Sequence, residues 1–218
     1  MKKKALLFSV FIFLSGITIL LSGKKLDKRV NAGVLPYCYD CNGVAYFLIG
    51  KEPSKVWADF GGKSEKKDSK PLATALRECA EETRYVFGKY AYGLDNLEQG
   101  VKQEKKYIYA SNKYIKSRLK AVATHPKRYY EMYLAKVDFI PADVFKHAYK
   151  NKDYDKKSYA WVPVTQFMQA IKESTNRDET YYRTKKIRRQ LYDILIAYHN
   201  QILNLIYPHQ TKIKAHTR

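Results

Sequence analysis

A glycine pair followed by an amphipathic helical pattern, at residues 61–83, is the feature that most narrowly constrains the fold of this chain. Gly61 and Gly62 allow the backbone to approach a neighbouring segment closely. Asp68 and Ser69 are candidate caps for the helix that follows, and Pro71 suits its first turn. Small or apolar side chains then recur at helical spacing, at Leu72, Leu76, Cys79, Ala80 and Thr83. The stretch therefore predicts a helix that buries one face against a core.

Three carboxylates lie on the other side of this predicted helix. Glu78, Glu81 and Glu82 are related by i, i+3 and i+4, so they project from one face. Such crowding is unfavourable without a cation, and Mg²⁺ prefers carboxylate oxygens and retains waters that can attack phosphorus. Arg77 can orient one of the carboxylates or meet a phosphate. A charged, solvated helix surface would carry the same residues, so both interpretations stay open at this point.

The pattern resembles the Nudix box, G-x5-E-x7-R-E-U-x-E-E-x-G-U, in which U is a bulky apolar residue. The residues that match or nearly match it are Gly62, Arg77, Glu78, Cys79, Glu81 and Glu82. Flanking runs also resemble this family, with AGVLPY and VAYFLIG as its first strands, WADFGGK before the box and YAWVPV as a late strand. The resemblance implies an α/β/α sandwich with a mixed sheet that hydrolyses nucleoside diphosphates linked to a further moiety.

The resemblance also assigns roles to residues of the box. The implied metal site, for Mg²⁺ or Mn²⁺, consists of Glu78, Glu81, Glu82 and the carbonyl group of Gly62. Glu78, Glu81 and Arg77 are the predicted catalytic residues, and Arg77 would orient the glutamates. The implied substrate is a small molecule that contains a diphosphate.

The general base and the substrate-binding residues stay open. The base is one of the three box glutamates or an outside carboxylate, for which the candidates are Glu131, Glu98 and Glu104. Glu131 and Trp57 are also candidate substrate-binding residues. Glu131 could equally be a surface residue of a half-buried strand.

The box departs from the family pattern in three places. The spacing from Gly62 to Arg77 is one residue longer, so the first glutamate of the pattern falls on Asp68 or on Ser69. Arg84 stands at the glycine position, and Tyr85 stands at the final apolar position. A Nudix-fold binding or regulatory module that has lost turnover is therefore an alternative to the hydrolase.

The N-terminus predicts a targeting or anchoring segment. Three lysines precede an uncharged, mostly apolar run at residues 5–23 that is close to the roughly 20 residues needed to cross a bilayer. We therefore predict a signal anchor or signal peptide at 1–23, containing a hydrophobic helix, and a linker at 24–30. The predicted location is membrane-anchored through this single segment, or exported, with the orientation open.

The chain as a whole is strongly basic. Lys and Arg number 41 against 21 Asp and Glu, a formal net charge of +20 that attracts phosphates, nucleic acid or anionic lipid. We predict a Nudix domain at 31–175 and one long basic amphipathic helix at 176–218. The start of that helix could contact RNA or acidic lipid through Arg183, Lys185, Lys186, Arg188 and Arg189. A basic protein that binds nucleic acid or surfaces is the third interpretation.

Periodicity and turn residues predict the remaining elements. Strands are expected at 32–37 and 44–50, joined by a turn at Asn42 and Gly43, and again at 129–139 and 159–164. A short helix should follow at 165–171. The polar, Lys- and Tyr-rich stretch 88–127 predicts an irregular insertion with only a short strand at 107–110.

Overall fold

A mixed β-sheet organises the chain in the computed structural model, which describes residues 30–93, 101–127, 129–148, 156–174 and 180–208. Its strands are β1 (Asn31–Tyr39), β2 (Ala45–Lys51), β3 (Trp57–Ala58), β4 (Phe60–Gly62), β5 (Leu119–Thr124), β6 (Tyr130–Lys136) and β7 (Ser158–Pro163). The strand order is β3-β2-β1-β6-β5, while β4 also pairs with β1 and β7 with β2. Only β1 and β6 run parallel among these pairings of the described strands. The four predicted strands are confirmed.

The turn between β1 and β2 forms as the sequence predicts. Gly43 has a φ of +77°, a left-handed conformation that glycine adopts without steric cost. Asp40 stabilises the turn because one of its oxygens accepts hydrogen bonds from the backbone N–H groups of Asn42 (2.9 Å) and Val44 (2.8 Å).

Helices cover both faces of the sheet. One layer contains α1 (Pro71–Glu82), α2 (Val86–Tyr92), α3 (Val101–Ser117) and α4 (Ala142–His147). The other contains α5 (Val164–Glu173), α6 (Arg189–Ala197) and α7 (His199–Ile206). Because strand side chains alternate between faces, Val34 packs in the core under α1 while Leu35 packs in the core under α6. The predicted α/β/α sandwich with a mixed sheet is confirmed.

The prediction of an irregular insertion at 88–127 is wrong. Helices α2 and α3 and strand β5 occupy its described part, and the predicted short strand at 107–110 lies inside α3. Ala110, Tyr114 and Ile115 are buried at helical spacing, and the Tyr114 ring stacks on Phe87 with centroids 5.8 Å apart. The apolar face of α3 could not be recognised in the sequence, because tyrosines supply much of it and lysines surround it.

The C-terminal segment is not one long helix. Strands β8 (Tyr181–Tyr182) and β9 (Lys185–Lys186) pair as a hairpin, and the helix that follows is divided into α6 and α7 at Tyr198. The apolar residues of these helices share a core with β1, β2 and β6, and include Leu191, Ile194, Leu195, Ile202 and Ile206. Burial of these residues against the sheet favours two short helices over one exposed rod.

The basic residues of this segment contact the protein itself. Arg188 donates a hydrogen bond to Glu52 (2.9 Å), and the ammonium group of Lys185 lies 5.3 Å from the centre of the Trp57 ring. In the described part of the chain, nothing supports the predicted contact with RNA or anionic lipid.

The predicted membrane localisation requires correction. No helix within the described residues is both long and apolar enough to cross a membrane. Helix α3, for example, has 17 residues and carries several lysines. The predicted segment at 1–23 and its hydrophobic helix lie outside the described residues.

Arg84, at the glycine position of the box, adopts the backbone conformation that favours glycine. Its φ is +54°, and that of Tyr85 is +60°. The nearly buried guanidinium of Arg84 donates hydrogen bonds to the carbonyl oxygens of Lys146 and Ala148 at the end of α4. It also donates to the carbonyl oxygen of Lys156, which precedes β7. The side chain therefore ties α4 to the exit of α1, which a glycine could not do.

This arrangement predicts different costs for two substitutions of Arg84. Arg84→Ala loses the carbonyl contacts and keeps a left-handed backbone, whereas Arg84→Gly loses the same contacts but relieves the backbone strain. We expect the alanine variant to be less stable than the glycine variant by about 1 kcal/mol. Urea unfolding of both variants measures the difference, and equal stabilities would show that the left-handed backbone is unstrained here.

Candidate functional site

The glycine pair lies on β4, directly beside the box helix. Gly62 pairs with Ala32 of β1, and Gly61 pairs with Gly33. A Cβ atom added to Gly62 would lie 2.5 Å from the carboxylate of Glu78. No side chain fits between them, so glycine is required for Glu78 to pack against this strand.

Arg77 holds the loop between β4 and α1. Its side chain is nearly buried and donates to Asp68 through Nη2 (2.9 Å) and Nε (3.3 Å), and to the carbonyl oxygen of Lys63 (2.9 Å). Burial alone would raise the pKa of Asp68, but the hydrogen bonds from Arg77, from the backbone N–H of Glu65 and from Thr74, together with the charge of Arg77, outweigh burial and lower the pKa. Of the two positions left open by the extra loop residue, Asp68 is therefore the one that pairs with Arg77.

The same guanidinium contacts three glutamates. Its Nη1 atom lies 2.8 Å from Glu78, 3.2 Å from Glu81 and 3.1 Å from Glu65. With Asp68, four carboxylates contact this guanidinium, and Lys67 pairs with one of them, Glu65 (3.1 Å). Burial raises the pKa values of Glu78 and Glu81 against the opposing effect of Arg77. The cluster thus carries an excess of negative charge that a further cation would relieve.

Glu82 turns away from the other two box glutamates. It is 6% exposed and accepts a hydrogen bond from the backbone N–H of Gly61 (2.8 Å). Its other oxygen lies 3.4 Å from the ammonium group of Lys156, which is fully buried. Burial raises the pKa of Glu82 to about 8. The expectation that all three glutamates project from one face, opposite the apolar stripe, is wrong for Glu82, because position 82 continues the buried row of residues such as Cys79.

The described residues contain no group of three or more His, Cys, Asp or Glu side chains placed to hold a metal ion. Arg77 engages Glu78 and Glu81, and Lys156 engages Glu82. The donor chemistry nevertheless fits a hard divalent cation, since Glu78 lies against the Gly62 backbone and the carboxylates outnumber their positive partners.

Glu131 lies on the same face of the sheet as α1. It is aligned with Ala32 in the parallel pairing of β1 and β6, and Ala32 is aligned with Gly62 on the other side. Two strand spacings separate Glu131 from Gly62, which is roughly 10 Å between Cα atoms. The half-buried Glu131 carboxylate accepts a hydrogen bond from the hydroxyl of Tyr133 (2.5 Å).

The other predicted residues are not brought to the box by the described structure. Trp57 is buried in the core on the opposite face of the sheet, packed with residues of β2 and α6. Glu98 lies outside the described residues, as does the side chain of Glu104.

Sequence reasoning missed a group of buried polar residues behind the box. Lys156 also lies 3.4 Å from Glu52, the residue that pairs with Arg188. Asp59, 1% exposed, accepts a hydrogen bond from the hydroxyl of Tyr130 (2.6 Å), and burial raises its pKa. The only feature of the sequence that could have indicated this group is Asp59, a charged residue within the otherwise apolar run WADF. Lys156 is hidden among the lysines that precede β7.

The pKa of Glu82 predicts how stability depends on pH in the metal-free protein. A pKa raised from 4.5 to about 8 means that the folded state binds this proton more tightly than the unfolded state does. The resulting contribution to the free energy of unfolding is complete below the pKa that Glu82 has in the unfolded state. It is lost as the pH rises towards the pKa that Glu82 has in the folded state. The Glu82→Gln variant has no titrating group at this position. Its side-chain oxygen can still accept the hydrogen bond from the backbone N–H of Gly61.

Wild type should therefore lose stability relative to Glu82→Gln between about pH 5 and about pH 8. Urea unfolding of both proteins in EDTA across this range measures the effect. A constant difference between them would show that Glu82 does not titrate in this window.

Comparison with known proteins finds similarity in solved structures. No family model matches the chain, and no curated protein matches it. A NUDIX hydrolase from Alicyclobacillus acidocaldarius is 13% identical, with 84% of this chain and 97% of that chain covered and a TM-score of 0.45. A C. elegans Ap4A hydrolase in a binary complex is 14% identical, with coverages of 86% and 99% and a TM-score of 0.37. A Nudix hydrolase from M. smegmatis is 14% identical, with coverages of 63% and 72% and a TM-score of 0.38.

Proposed function

We propose that this chain is a Nudix-type, metal-dependent hydrolase that cleaves a pyrophosphate bond in a nucleoside-diphosphate-linked or related diphosphate substrate. The observation that carries the proposal is the packing of Glu78 against Gly62 while Arg77 holds Glu78 and Glu81 beside it. A solvated surface helix would not need a glycine opposite a glutamate or a nearly buried arginine between its carboxylates.

Glu78 and Glu81 are the residues we expect to hold Mg²⁺ or Mn²⁺. Their side chains keep 16% and 32% exposure, so both can be reached from solvent. The carbonyl group of Gly62 would join them. Glu82, the third glutamate of the set that the box resemblance implies, is instead held by the backbone N–H of Gly61 and by Lys156. A bound divalent ion neutralises phosphate charge and lowers the pKa of a water molecule.

Arg77 and Asp68 position these glutamates. The two nitrogens of Arg77 that contact Asp68 fix the plane of the guanidinium, and the carbonyl oxygen of Lys63 fixes it further. Nη1 is then aimed at Glu78 and Glu81. Arg77 is thus a positioning residue that keeps two like charges together.

We propose Glu131 as the general base. This role is supported by the position of Glu131 on the face of the sheet that α1 covers, where the strand pairings align it with Ala32 and, through Ala32, with Gly62. The hydroxyl of Tyr133 orients one oxygen, and the other would accept a proton from the attacking water. A diphosphate would approach in the field of a chain whose net charge is +20.

The hydrolase is tested with the full chain and a panel of dinucleotides, nucleotide sugars, nucleoside triphosphates and capped RNA. We expect release of phosphate or nucleoside monophosphate with Mg²⁺ or Mn²⁺ and none in EDTA. Glu81→Gln should lower the rate by about 100-fold or more, because a charged ligand is lost at the reacting centre.

Glu65→Gln is the matched control for that variant. Glu65 also contacts Arg77, but it belongs to the exposed loop and not to the box helix. It should retain most of the activity. A folded protein that is silent on every substrate would refute the hydrolase and favour a binding module that has lost turnover.

The packing of Glu78 on Gly62 gives a second test. Gly62→Ala places a Cβ atom 2.5 Å from the Glu78 carboxylate and should displace it. We expect affinity for Mn²⁺, measured by electron paramagnetic resonance, to fall about tenfold. Adding Gly62→Ala to Glu78→Gln should cause no further loss, because the displaced ligand is already absent. Additive losses would mean that Gly62 acts independently of Glu78.

A further inference from the structure

A cavity of about 490 Å³ opens beside the β1–β2 turn. It is lined by Tyr39, Asp40, Cys41, Tyr46, Phe139 and Trp161. The turn follows the C-terminal end of β1, whereas Ala32, which pairs with Gly62, is near its N-terminal end. Seven residues of extended chain separate the two ends by roughly 23 Å, so this cavity is distinct from the box.

Four of the lining residues are aromatic, and three of them lie together, because Tyr39 packs against the core on the other face of the sheet. Tyr46 on β2 and Trp161 on β7 lie on the same face of the sheet, two residues apart in the antiparallel register. The Phe139 ring, 58% exposed, lies with its centre 5.6 Å from that of Trp161. A hydrogen bond from Trp161 Nε1 to the carbonyl oxygen of Ile140 (2.8 Å) fixes the indole in place.

The polar groups of the cavity favour positive charge. The indole N–H is already engaged, and the Tyr46 hydroxyl donates to Asp40 (3.4 Å). One Asp40 oxygen accepts the two turn N–H groups, while the other, among the residues that the structure describes, has only the long contact from Tyr46. Within the described residues, no ion pair joins Asp40 to a lysine or arginine. Such a carboxylate is unusual on a chain with a net charge of +20.

We propose that this cavity binds an organic cation of the trimethylammonium type. Aromatic faces attract a cation through the ring quadrupole, and Asp40 supplies the opposite charge. An anion would be repelled by both, and a neutral apolar group would leave the carboxylate without a partner. The volume is within the range of small-molecule sites and admits a trimethylammonium group with a substituent. This inference is independent of the proposed hydrolysis.

The test compares choline with 3,3-dimethylbutanol, its uncharged isostere, using the full chain in EDTA. The chain has two tryptophans, so the indole N–H signals of Trp161 and Trp57 can be followed separately by NMR. We expect choline to shift the Trp161 signal and to leave that of Trp57, which is buried elsewhere, unchanged. The isostere should shift neither signal at the same concentration.

Two variants test the cavity without disturbing its frame. Asp40→Asn keeps an oxygen that accepts the turn N–H groups and removes the charge, and Phe139→Leu removes a mostly exposed ring. Each should weaken choline binding by about 2- to 5-fold, the fold-change of one exposed cation–π contact for Phe139→Leu and of one exposed ion pair for Asp40→Asn. Equal binding of the isostere, no shift of Trp161, or unchanged affinity in Asp40→Asn would overturn the proposal.

A trimethyllysine peptide identifies the source of the cation. Binding that is tenfold tighter than that of choline would support a methylated protein partner, and equal binding would support a small molecule. Both results uphold the recognition of the trimethylammonium group. Because no metal is present in these measurements, neither result depends on whether the box hydrolyses a diphosphate.

Discussion

The Arg77 guanidinium is the interaction on which the candidate site depends. It joins the loop after β4 to helix α1, since one edge is fixed by Asp68 and Lys63 while the remaining nitrogen holds Glu78 and Glu81. A planar group with five donors in a fixed fork transmits the position of one set of partners to the other. A lysine would supply its charge at one point, so it could not fix the positions of Glu78 and Glu81 relative to Asp68 and Lys63. The extra residue of the loop is accommodated because Asp68, with its shorter side chain, still reaches this fork.

A second set of charges connects the C-terminal segment to the box. Glu52 contacts both Arg188, which precedes α6, and the buried Lys156, and Lys156 also contacts Glu82. Buried charges are costly unless each has a partner, and the loss of one partner typically costs about 3–5 kcal/mol. Helices α6 and α7 therefore do more than cover the sheet, because Arg188, which precedes them, pairs with the Glu52 carboxylate that also contacts the buried Lys156.

The sequence predicted those parts of the fold that short-range patterns encode. Alternating apolar runs located β1, β2, β6 and β7, and the glycine pair with the box located α1 and its partner residues. Helix α3 was missed because its buried face uses Tyr114 and Ala110 within a lysine-rich stretch. The inward turn of Glu82 and the burial of Lys156 could not be predicted, since they depend on how α1 packs against strands that are distant in sequence. For the same reason, the alignment of Glu131 with Gly62 emerges only from the sheet register.

Two opposite electrostatic effects meet at this site. The whole chain carries +20 and attracts anions, but charges of the surrounding surface are screened beyond about 8–10 Å in physiological salt. Within that distance of the box, Arg77 contacts four carboxylates, those of Glu65, Asp68, Glu78 and Glu81, while Lys67 pairs with Glu65, so the negative charges outnumber their positive partners. A diphosphate drawn in by the long-range field would therefore be repelled at the last step unless a divalent cation bound these carboxylates first. Under the proposed function, the dependence on metal follows from the charge of the site itself, before any role of the metal in the chemical step.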